Sequence, residues 1–177
     1  VDKWREANPR IVSLWYEVER AARACIETRT QQIVGGLVRM TYHRGILFIR
    51  LPSGRALAYP KASLRPHQKF PDRDEVVYSE VSGDGWKQVG TYGGKLVENI
   101  IQAIARDCLA EGMLAVTAAG FRIVMHVHDE IVVEVSTQHD PEAALAEILG
   151  LMRISPDWAK DLPLNAYGYL CPYYQKD

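Results

Sequence analysis

The sequence predicts an α+β fold in which helices pack on one face of an antiparallel sheet. Two observations carry this prediction. Apolar residues recur at helical spacing in two long runs, and short β-branched segments separated by turn residues lie between and after those runs. The chain has 177 residues, which is enough for one domain, or for one domain with a helical appendage.

The first predicted elements are helices. Asn8-Pro9 is typical of a helix start, with Asn as the N-cap and Pro at the first helical position. Apolar residues at helical spacing then predict a helix over residues 9–28, with a shorter helix before Asn8. These residues are Ile11, Leu14, Trp15, Val18, Ala22, Cys25 and Ile26. We assign residues 1–33 to this helical segment and residues 34–177 to the part that follows, which we expect to form a single compact unit with the helices.

Two hairpins are predicted next, each from two strand-like runs around a turn signal. The first covers residues 45–59 around Pro52-Ser53-Gly54, and the second covers residues 75–92 around Ser82-Gly83-Asp84-Gly85. Between them, residues 60–74 are rich in proline and basic side chains, which predicts a surface loop.

Gly93-Gly94 opens the strongest predicted helix, which ends at Gly120. One face carries an apolar stripe typical of a helix that packs on a core. The stripe consists of Val97, Ile100, Ile101, Ile104, Cys108, Leu109, Met113 and Val116. The opposite face presents Lys95, Asn99, Gln102 and Arg106, which suit either contacts with nucleic acid or a solvated helix face.

Residues 121–135 are apolar and β-branched on both sides of His128-Asp129-Glu130, which predicts a hairpin with these three residues at its turn. Two carboxylates on a stiff turn suit a hard divalent cation such as Mg²⁺. By itself, however, Asp-Glu in a turn is more often only a polar turn. Asp140-Pro141 then predicts the start of a last helix that reaches about Arg153, followed by a tail rich in proline and tyrosine.

Charge is unevenly distributed along the chain. Residues 1–70 hold 13 Lys/Arg and 5 Asp/Glu, whereas residues 71–177 hold 8 and 17. This suits a polyanion that binds beside an acidic metal site, and it equally suits two differently charged solvated faces. The three cysteines form no C-x-x-C pair, and no run approaches the roughly 20 apolar residues of a membrane span. We therefore expect reduced thiols and no membrane partner.

The stretch from His126 to Glu134, HVHDEIVVE, resembles motif C of family A DNA polymerases, the family of DNA polymerase I. Three further segments resemble that family. Residues 92–107 are similar to the long helix before motif C in its phage-type branch, and residues 51–60 to its G-R-x-L-x-x-P hairpin. Residues 1–10 are similar to the segment just after the fingers. The resemblance covers nearly the whole chain, and motif C is highly specific.

The resemblance implies a role for each matching residue. Asp129 matches the aspartate that binds the catalytic metals, Glu130 the adjacent supporting acid, and His128 the histidine that contacts the primer terminus. The implied cofactor is Mg²⁺, with two ions in the complete enzyme, and the implied partners are primer-template DNA and deoxynucleoside triphosphates. The implied location is the cytoplasm of a bacterial cell or of a phage-infected host.

The sequence also departs from the family pattern. The template-contacting Gln at the start of the long helix has no equivalent, so DNA contacts by Lys95, Asn99, Gln102 and Arg106 are inferred from the polar face that they share. Motif A, with the second metal-binding aspartate, and motif B, which holds the incoming nucleotide, do not occur. The first residues already follow an amphipathic pattern without an initiating Met. We therefore expect a C-terminal palm fragment, preceded by the end of the fingers, that is inactive alone.

Two other functions remain open from the residues. A metal-dependent hydrolase could use His126, His128 and Asp129, because residues two apart on a strand point to one face. A non-catalytic nucleic-acid-binding module could use the basic first part of the chain, where Arg44 and Arg50 could contact phosphates. Aromatic residues accompany them at Trp4, Trp15 and Tyr42.

Overall fold

The computed structural model of the chain describes residues 2–67, 70, 72–83 and 85–174. The chain divides into two compact units, Val1–Ile104 and Ala105–Asp177. The division falls within the longest helix, α3, which covers Gly93–Ala118. This division does not test the assignment of residues 1–33 and 34–177 to different parts of a larger enzyme. That assignment stays a prediction.

In its described residues ahead of α3, the first unit contains two helices and two antiparallel sheets. The helices are α1 (Asp2–Ala7) and α2 (Pro9–Thr28). The strands are β1 (Gln32–Val34), β2 (Val38–His43), β3 (Ile46–Arg50), β4 (Ala56–Pro60), β5 (Ser63–Pro66), β6 (Asp74–Ser82) and β7 (Gly85–Thr91). One sheet has the order β1-β2-β3-β4 and the other the order β5-β6-β7, so every hydrogen-bonded pair joins strands that are consecutive in the sequence.

Helix α2 begins and ends where its sequence pattern predicts, but its N-terminus differs in one detail. Asn8 occupies the N-cap position without a capping hydrogen bond from its side chain. Its side-chain amide instead donates to the Trp4 carbonyl oxygen at 2.9 Å, and the Trp4 and Trp15 rings stack with centroids 5.6 Å apart. Asn8 therefore joins α1 to α2 rather than capping α2.

The core of the first unit lies between α2 and the inner face of the four-stranded sheet. Met40, Leu47 and Ile49 are fully buried on this face and form one cluster with Val18 and Ala22 of α2. The first turns of α3 add Leu96, Val97 and Ile100 to the same cluster. Alternation along β2 and β3 places the other residues of these strands on an outer face.

The start of α3 is fixed by a close approach to α2. An added Cβ on Gly93 would lie 1.9 Å from the Trp15 carbonyl oxygen, so only glycine fits there. The Glu19 carboxylate accepts a hydrogen bond of 2.8 Å from the Gly93 backbone N–H. This carboxylate satisfies one of the free donors at the helix N-terminus and lies at the positive end of the helix dipole.

The predicted surface loop over residues 60–74 is wrong in part. Pro60 ends β4, Asp74 begins β6, and Ser63–Pro66 forms β5, which pairs with β6. Proline at the end of a strand or on an edge strand costs no ladder hydrogen bond, so a proline-rich composition does not exclude these strands. Gln68, Lys69 and Pro71 of this segment, and Asp84 of the second predicted turn, lie outside the described residues.

The second unit contains the remainder of α3, strands β8 (Arg122–Val127) and β9 (Glu130–Glu134), helix α4 (Pro141–Met152) and a short 3₁₀ helix, Asp157–Ala159. Helices α3 and α4 approach closely where an added Cβ on Gly112 would lie 2.8 Å from the Met152 sulfur. The Asp140 side chain caps α4 as predicted, accepting from the Glu142 and Ala143 backbone N–H groups. Among the described residues of this unit, the buried apolar side chains are Leu109, Val116, Ala144 and Ile148.

The predicted α+β class is confirmed, and the predicted helices and hairpins occur. In the described ranges the strands form three antiparallel sheets, and β8 and β9 pair with each other. Most of the predicted apolar stripe on α3 is buried or half-buried, but Ile101 is exposed. In the part of the chain that the structure describes, no helix has the length and apolar character to cross a membrane.

Candidate functional site: an acidic hairpin turn and the polar residues of α3

The His128-Asp129 turn joins β8 and β9 in the tightest common hairpin geometry. Val127 pairs with Glu130, so the loop has two residues, and Glu130 is the first residue of β9. The register shifts between Ile123 and Met125, where Val124 forms a bulge. A bulge bends its strand and redirects side chains. The two-residue loop and the bulge therefore both determine where the side chains of the turn lie.

His128 adopts a backbone conformation that L-residues seldom occupy. Its φ is 52°, in the left-handed region, at the first position of the two-residue loop. Such a position favours glycine, and a residue with a Cβ costs about 1–2 kcal/mol there. His128 is exposed, so its imidazole is held at the tip of the hairpin at the expense of backbone strain. Strain of this kind is concentrated at functional sites.

The carboxylates of Asp129 and Glu130 are exposed at the same turn. Within the described residues, neither has an ion pair or a hydrogen bond, whereas Glu134 at the other end of β9 is bound to Arg122 at 2.8 Å. The turn therefore presents two adjacent, uncompensated carboxylates on a stiff support. Such oxygen atoms are the ligands that Mg²⁺ prefers in proteins.

The described residues supply only part of a metal site. No group of three or more His, Cys, Asp or Glu side chains in the described ranges is arranged to hold a metal ion. The chemistry of Asp129 and Glu130 fits a hard cation, but two carboxylates leave most of its coordination positions unfilled. A cation bound here would need further ligands from water, from substrate phosphates or from another protein segment.

The premise of the hydrolase interpretation is wrong. That interpretation needs His126 and His128 on one face of a strand, but β8 ends at Val127 and His128 lies in the turn with a left-handed backbone. His126 pairs with Ile131 within the ladder. The two imidazoles are therefore not related by strand alternation, which is the geometry that would direct both towards one metal ion.

Three of the four polar residues predicted on α3 lie in the first unit, and each has a partner there. The Lys95 ammonium group is 3.1 Å from a Glu98 carboxylate oxygen, and the Gln102 amide donates to the other oxygen at 3.3 Å. The Asn99 amide donates to the Tyr59 hydroxyl at 3.0 Å, and Tyr59 is buried. Asn99 thus has a structural role that can account for it without DNA.

Burial raises the pKa of Tyr59, and the Asn99 hydrogen bond acts in the opposite direction. The Tyr78 ring packs edge-on against Tyr59, with ring centroids 5.0 Å apart. Electrostatic interaction with Tyr78 raises the pKa of Tyr59 further. The Tyr59 hydroxyl is therefore neutral at physiological pH and serves as a fixed hydrogen-bonding partner. Sequence reasoning missed this interaction, because the two residues are 40 positions apart.

Arg106, the fourth predicted residue, belongs to the second unit and differs from the other three. It is exposed, and no ion pair or hydrogen bond of its guanidinium group occurs within the described residues. An exposed guanidinium without a partner can bind a phosphate through two parallel hydrogen bonds. Of the four predicted polar residues of α3, Arg106 therefore has the side chain that is most available to an anion.

The role of Glu98 was missed by sequence reasoning, although its spacing could have signalled it. Glu98 is three residues after Lys95 and four before Gln102, and residues at these intervals are neighbours on a helix. The Lys95–Glu98 pair is about half exposed on both sides, so its contribution to stability is small. Glu98 therefore holds the Lys95 ammonium group only weakly.

The chain is similar to a DNA polymerase of Bacillus phage SP02, with 43% identity over 178 aligned residues. The alignment covers the whole of this chain and 27% of that polymerase, so the chain spans about a quarter of the length of its relative. No protein-family model matches the chain. No solved structure matches it either.

Proposed function

We propose that this chain is the C-terminal palm portion of a family A DNA-directed DNA polymerase, in which Asp129 binds a catalytic divalent cation. The observation that carries the proposal is the His128-Asp129-Glu130 turn, with its exposed and unpaired carboxylates on a tight hairpin. The motif C resemblance of residues 126–134 and the similarity to a phage DNA polymerase support the same function.

In this proposal Asp129 provides carboxylate oxygens for Mg²⁺, and Glu130 supports the site from the first position of β9. A metal ion held by these residues would supply activation of the primer 3′-hydroxyl and neutralisation of the charge that develops on the phosphates. The hairpin keeps its carboxylates in place through the ladder between β8 and β9. Because no cation among the described residues neutralises either carboxylate, both are available as metal ligands in this proposal.

His128 positions the primer terminus in this proposal. Its imidazole lies one residue from the metal-binding carboxylate, at the exposed tip of the turn. An imidazole there can hydrogen-bond a sugar or phosphate oxygen at the primer end. On α3, Arg106 and Lys95 offer cationic contacts to DNA, Gln102 offers a weakly held amide, and Asn99 contributes by fixing Tyr59.

The 177-residue chain supplies one carboxylate pair and needs a second metal-binding carboxylate from elsewhere in the parent enzyme. Two cations bound a few ångströms apart in a two-metal site require several fixed anionic ligands. The described residues contain no group of three candidate ligands. We therefore propose that the chain contributes half of a shared metal site and does not polymerise by itself.

The test is a single-turnover primer-extension assay on the complete parent polymerase carrying Asp129→Asn. This change keeps the size of the side chain and removes the charge. Loss of several kcal/mol of metal-based stabilisation is expected to slow nucleotide addition by at least about 10³-fold, while the Kd for primer-template DNA changes little. Asp157→Asn is the matched control, because Asp157 is 96% exposed and pairs only with Lys160 within the described residues.

Nucleotide addition within about tenfold of the parent rate, in the Asp129→Asn polymerase, would overturn the proposal. Such a result would instead favour a non-catalytic nucleic-acid-binding function for this part of the chain. Loss of synthesis together with an equal loss of DNA binding would also count against it, because a metal ligand should act on the chemical step.

A further inference from the structure

One segment of the chain contains no acidic residue at all. Between Glu27 and Asp72 there are eight Lys/Arg and not a single Asp or Glu. Acidic residues make up 22 of the 177 positions, so more than five would be expected in a segment of this length. The segment includes all four strands of the β1-β2-β3-β4 sheet.

The outer face of this sheet carries an unusual pair of cations. Arg39 on β2 lies directly opposite Arg50 on β3, and both are exposed. Their neighbours along the strands, Met40 and Ile49, are fully buried against the core, so the two guanidinium groups lie on the solvent side. Like charges at directly opposite positions of an antiparallel pair destabilise the sheet.

No ion pair among the described residues of the sheet compensates this repulsion. Arg50 donates a hydrogen bond to the Gly54 carbonyl oxygen at 3.0 Å, which leaves its charge unneutralised. No ion pair of Arg39 occurs within the described residues. An Arg–Glu pair at these positions would keep the protein as soluble and make the sheet more stable. The need for solubility therefore does not explain why both residues are arginine.

Two further cations lie at the other end of the same sheet. Arg44 is in the turn between β2 and β3, and Lys61 directly follows β4. The Ala62 N–H donates to the Gly45 carbonyl oxygen at 2.9 Å, which brings these two turns together. Arg39 and Arg44 are five residues apart, or about 17 Å along an extended strand.

Between the two ends, the outer face carries apolar side chains together with Thr41. Phe48 is half-buried at its centre, paired with Ala58 on β4 and with Thr41 on β2. Ala58 is exposed, and its small side chain offers the ring little cover on that side. A row of cations with an aromatic ring among them is the arrangement that proteins use for single-stranded nucleic acid, whose backbone is anionic and whose bases offer flat faces.

We propose that the outer face of the β1-β2-β3-β4 sheet binds single-stranded DNA, with Arg39, Arg50, Arg44 and Lys61 on the phosphates and Phe48 against a base. This surface lies within the first unit and contains none of the residues of the acidic turn. Its binding needs no metal ion, because every proposed contact is made by a side chain of the sheet or of its turns. It therefore does not depend on the proposed polymerase function.

The experiment measures binding of the 177-residue chain to a fluorescent oligothymidylate by anisotropy, in EDTA, over a series of salt concentrations. Replacing Arg39 and Arg50 together with Gln removes two phosphate contacts. For single strands this is expected to reduce the slope of log K against log salt by about 1.4, which is about 25-fold in affinity near 0.1 M salt. Phe48→Leu, which keeps an apolar side chain, is expected to weaken binding with little change in the salt slope.

Arg10→Gln with Arg20→Gln is the matched control. Both residues are exposed on α2, which packs on the inner face of the sheet, and the change in net charge is the same. This control is expected to bind within about twofold of the parent chain. Arg39→Lys with Arg50→Lys keeps the charges and is expected to retain most of the affinity.

Thermal unfolding distinguishes a lost contact from a lost fold. Because Arg39→Gln with Arg50→Gln relieves a repulsion, its Tm is expected to equal or exceed that of the parent. Equal loss of affinity in this variant and in the α2 control would contradict the proposal, because it would show a general effect of net charge. Tighter binding of a duplex of equal length than of the single strand would contradict the assignment to single-stranded DNA.

Discussion

Replacing His128 with glycine separates the backbone of the acidic turn from the imidazole that the turn presents. At a φ of 52°, a residue with a Cβ costs about 1–2 kcal/mol that glycine does not. Glycine also loses more conformational freedom on folding, which offsets about 0.5–1 kcal/mol of this gain in stability. His128→Gly is therefore expected to stabilise the hairpin by about 0.5–1 kcal/mol, although it removes a side chain.

Hydrogen exchange of the β8 and β9 amide groups measures this difference where it arises. A gain of about 0.5–1 kcal/mol in the opening free energy slows exchange about two- to fivefold. His128→Ala is the control, because it removes the imidazole and keeps the strained backbone, so no slowing is expected. If the Gly variant exchanges as fast as the Ala variant, the inference of stored strain is refuted.

Four further expected outcomes can be tested. Gly93→Ala is expected to lower the free energy of unfolding by about 1–3 kcal/mol, because its Cβ would meet the Trp15 carbonyl oxygen. Gly150→Ala, where a Cβ in α4 meets nothing within 4 Å, is expected to raise the free energy of unfolding by up to about 1 kcal/mol. Denaturant titration measures both changes. A change of the same sign in both variants would contradict this reasoning. Asn99→Ala is expected to raise the pKa of Tyr59 further, because it removes the hydrogen bond from Asn99 that lowers this pKa. Ultraviolet titration of the tyrosines would detect the change. An unchanged titration curve would mean that the hydrogen bond between Asn99 and Tyr59 does not persist. The isolated 177-residue chain is expected to extend no primer in Mg²⁺, and robust synthesis would show that the chain holds a complete metal site.

Local pattern was sufficient to predict most elements of this fold. Helix α2 begins at Pro9 and ends at Thr28 as its apolar spacing predicts, because amphipathic spacing and a proline at the first position are both local signals. The Asp140 cap of α4 was also predictable, since capping joins residues only two or three positions apart. By contrast, β5 was missed because proline content does not distinguish a loop from a short strand at a sheet edge.

The geometry of the candidate site was less predictable. Sequence reasoning placed Asp129 and Glu130 at a hairpin turn, but it gave no indication of the left-handed backbone of His128 or of the bulge at Val124. A run of β-branched and apolar residues looks the same with and without a bulge, because the bulge depends on pairing with the partner strand. The partners of α3 were hidden for a similar reason, since Asn99 finds Tyr59 only after folding.

Iron-directed cleavage of the complete parent polymerase tests the central claim most directly. Fe²⁺ can take the place of Mg²⁺ among carboxylate ligands, and with ascorbate and peroxide it generates radicals that cut the nearest backbone. With primer-template DNA and nucleotide present, we expect a cut beside Asp129, competed by Mg²⁺ and absent in Asp129→Asn. Cuts at other carboxylates of the enzyme, with none at residues 128–130, would contradict the claim that this turn holds a catalytic metal ion.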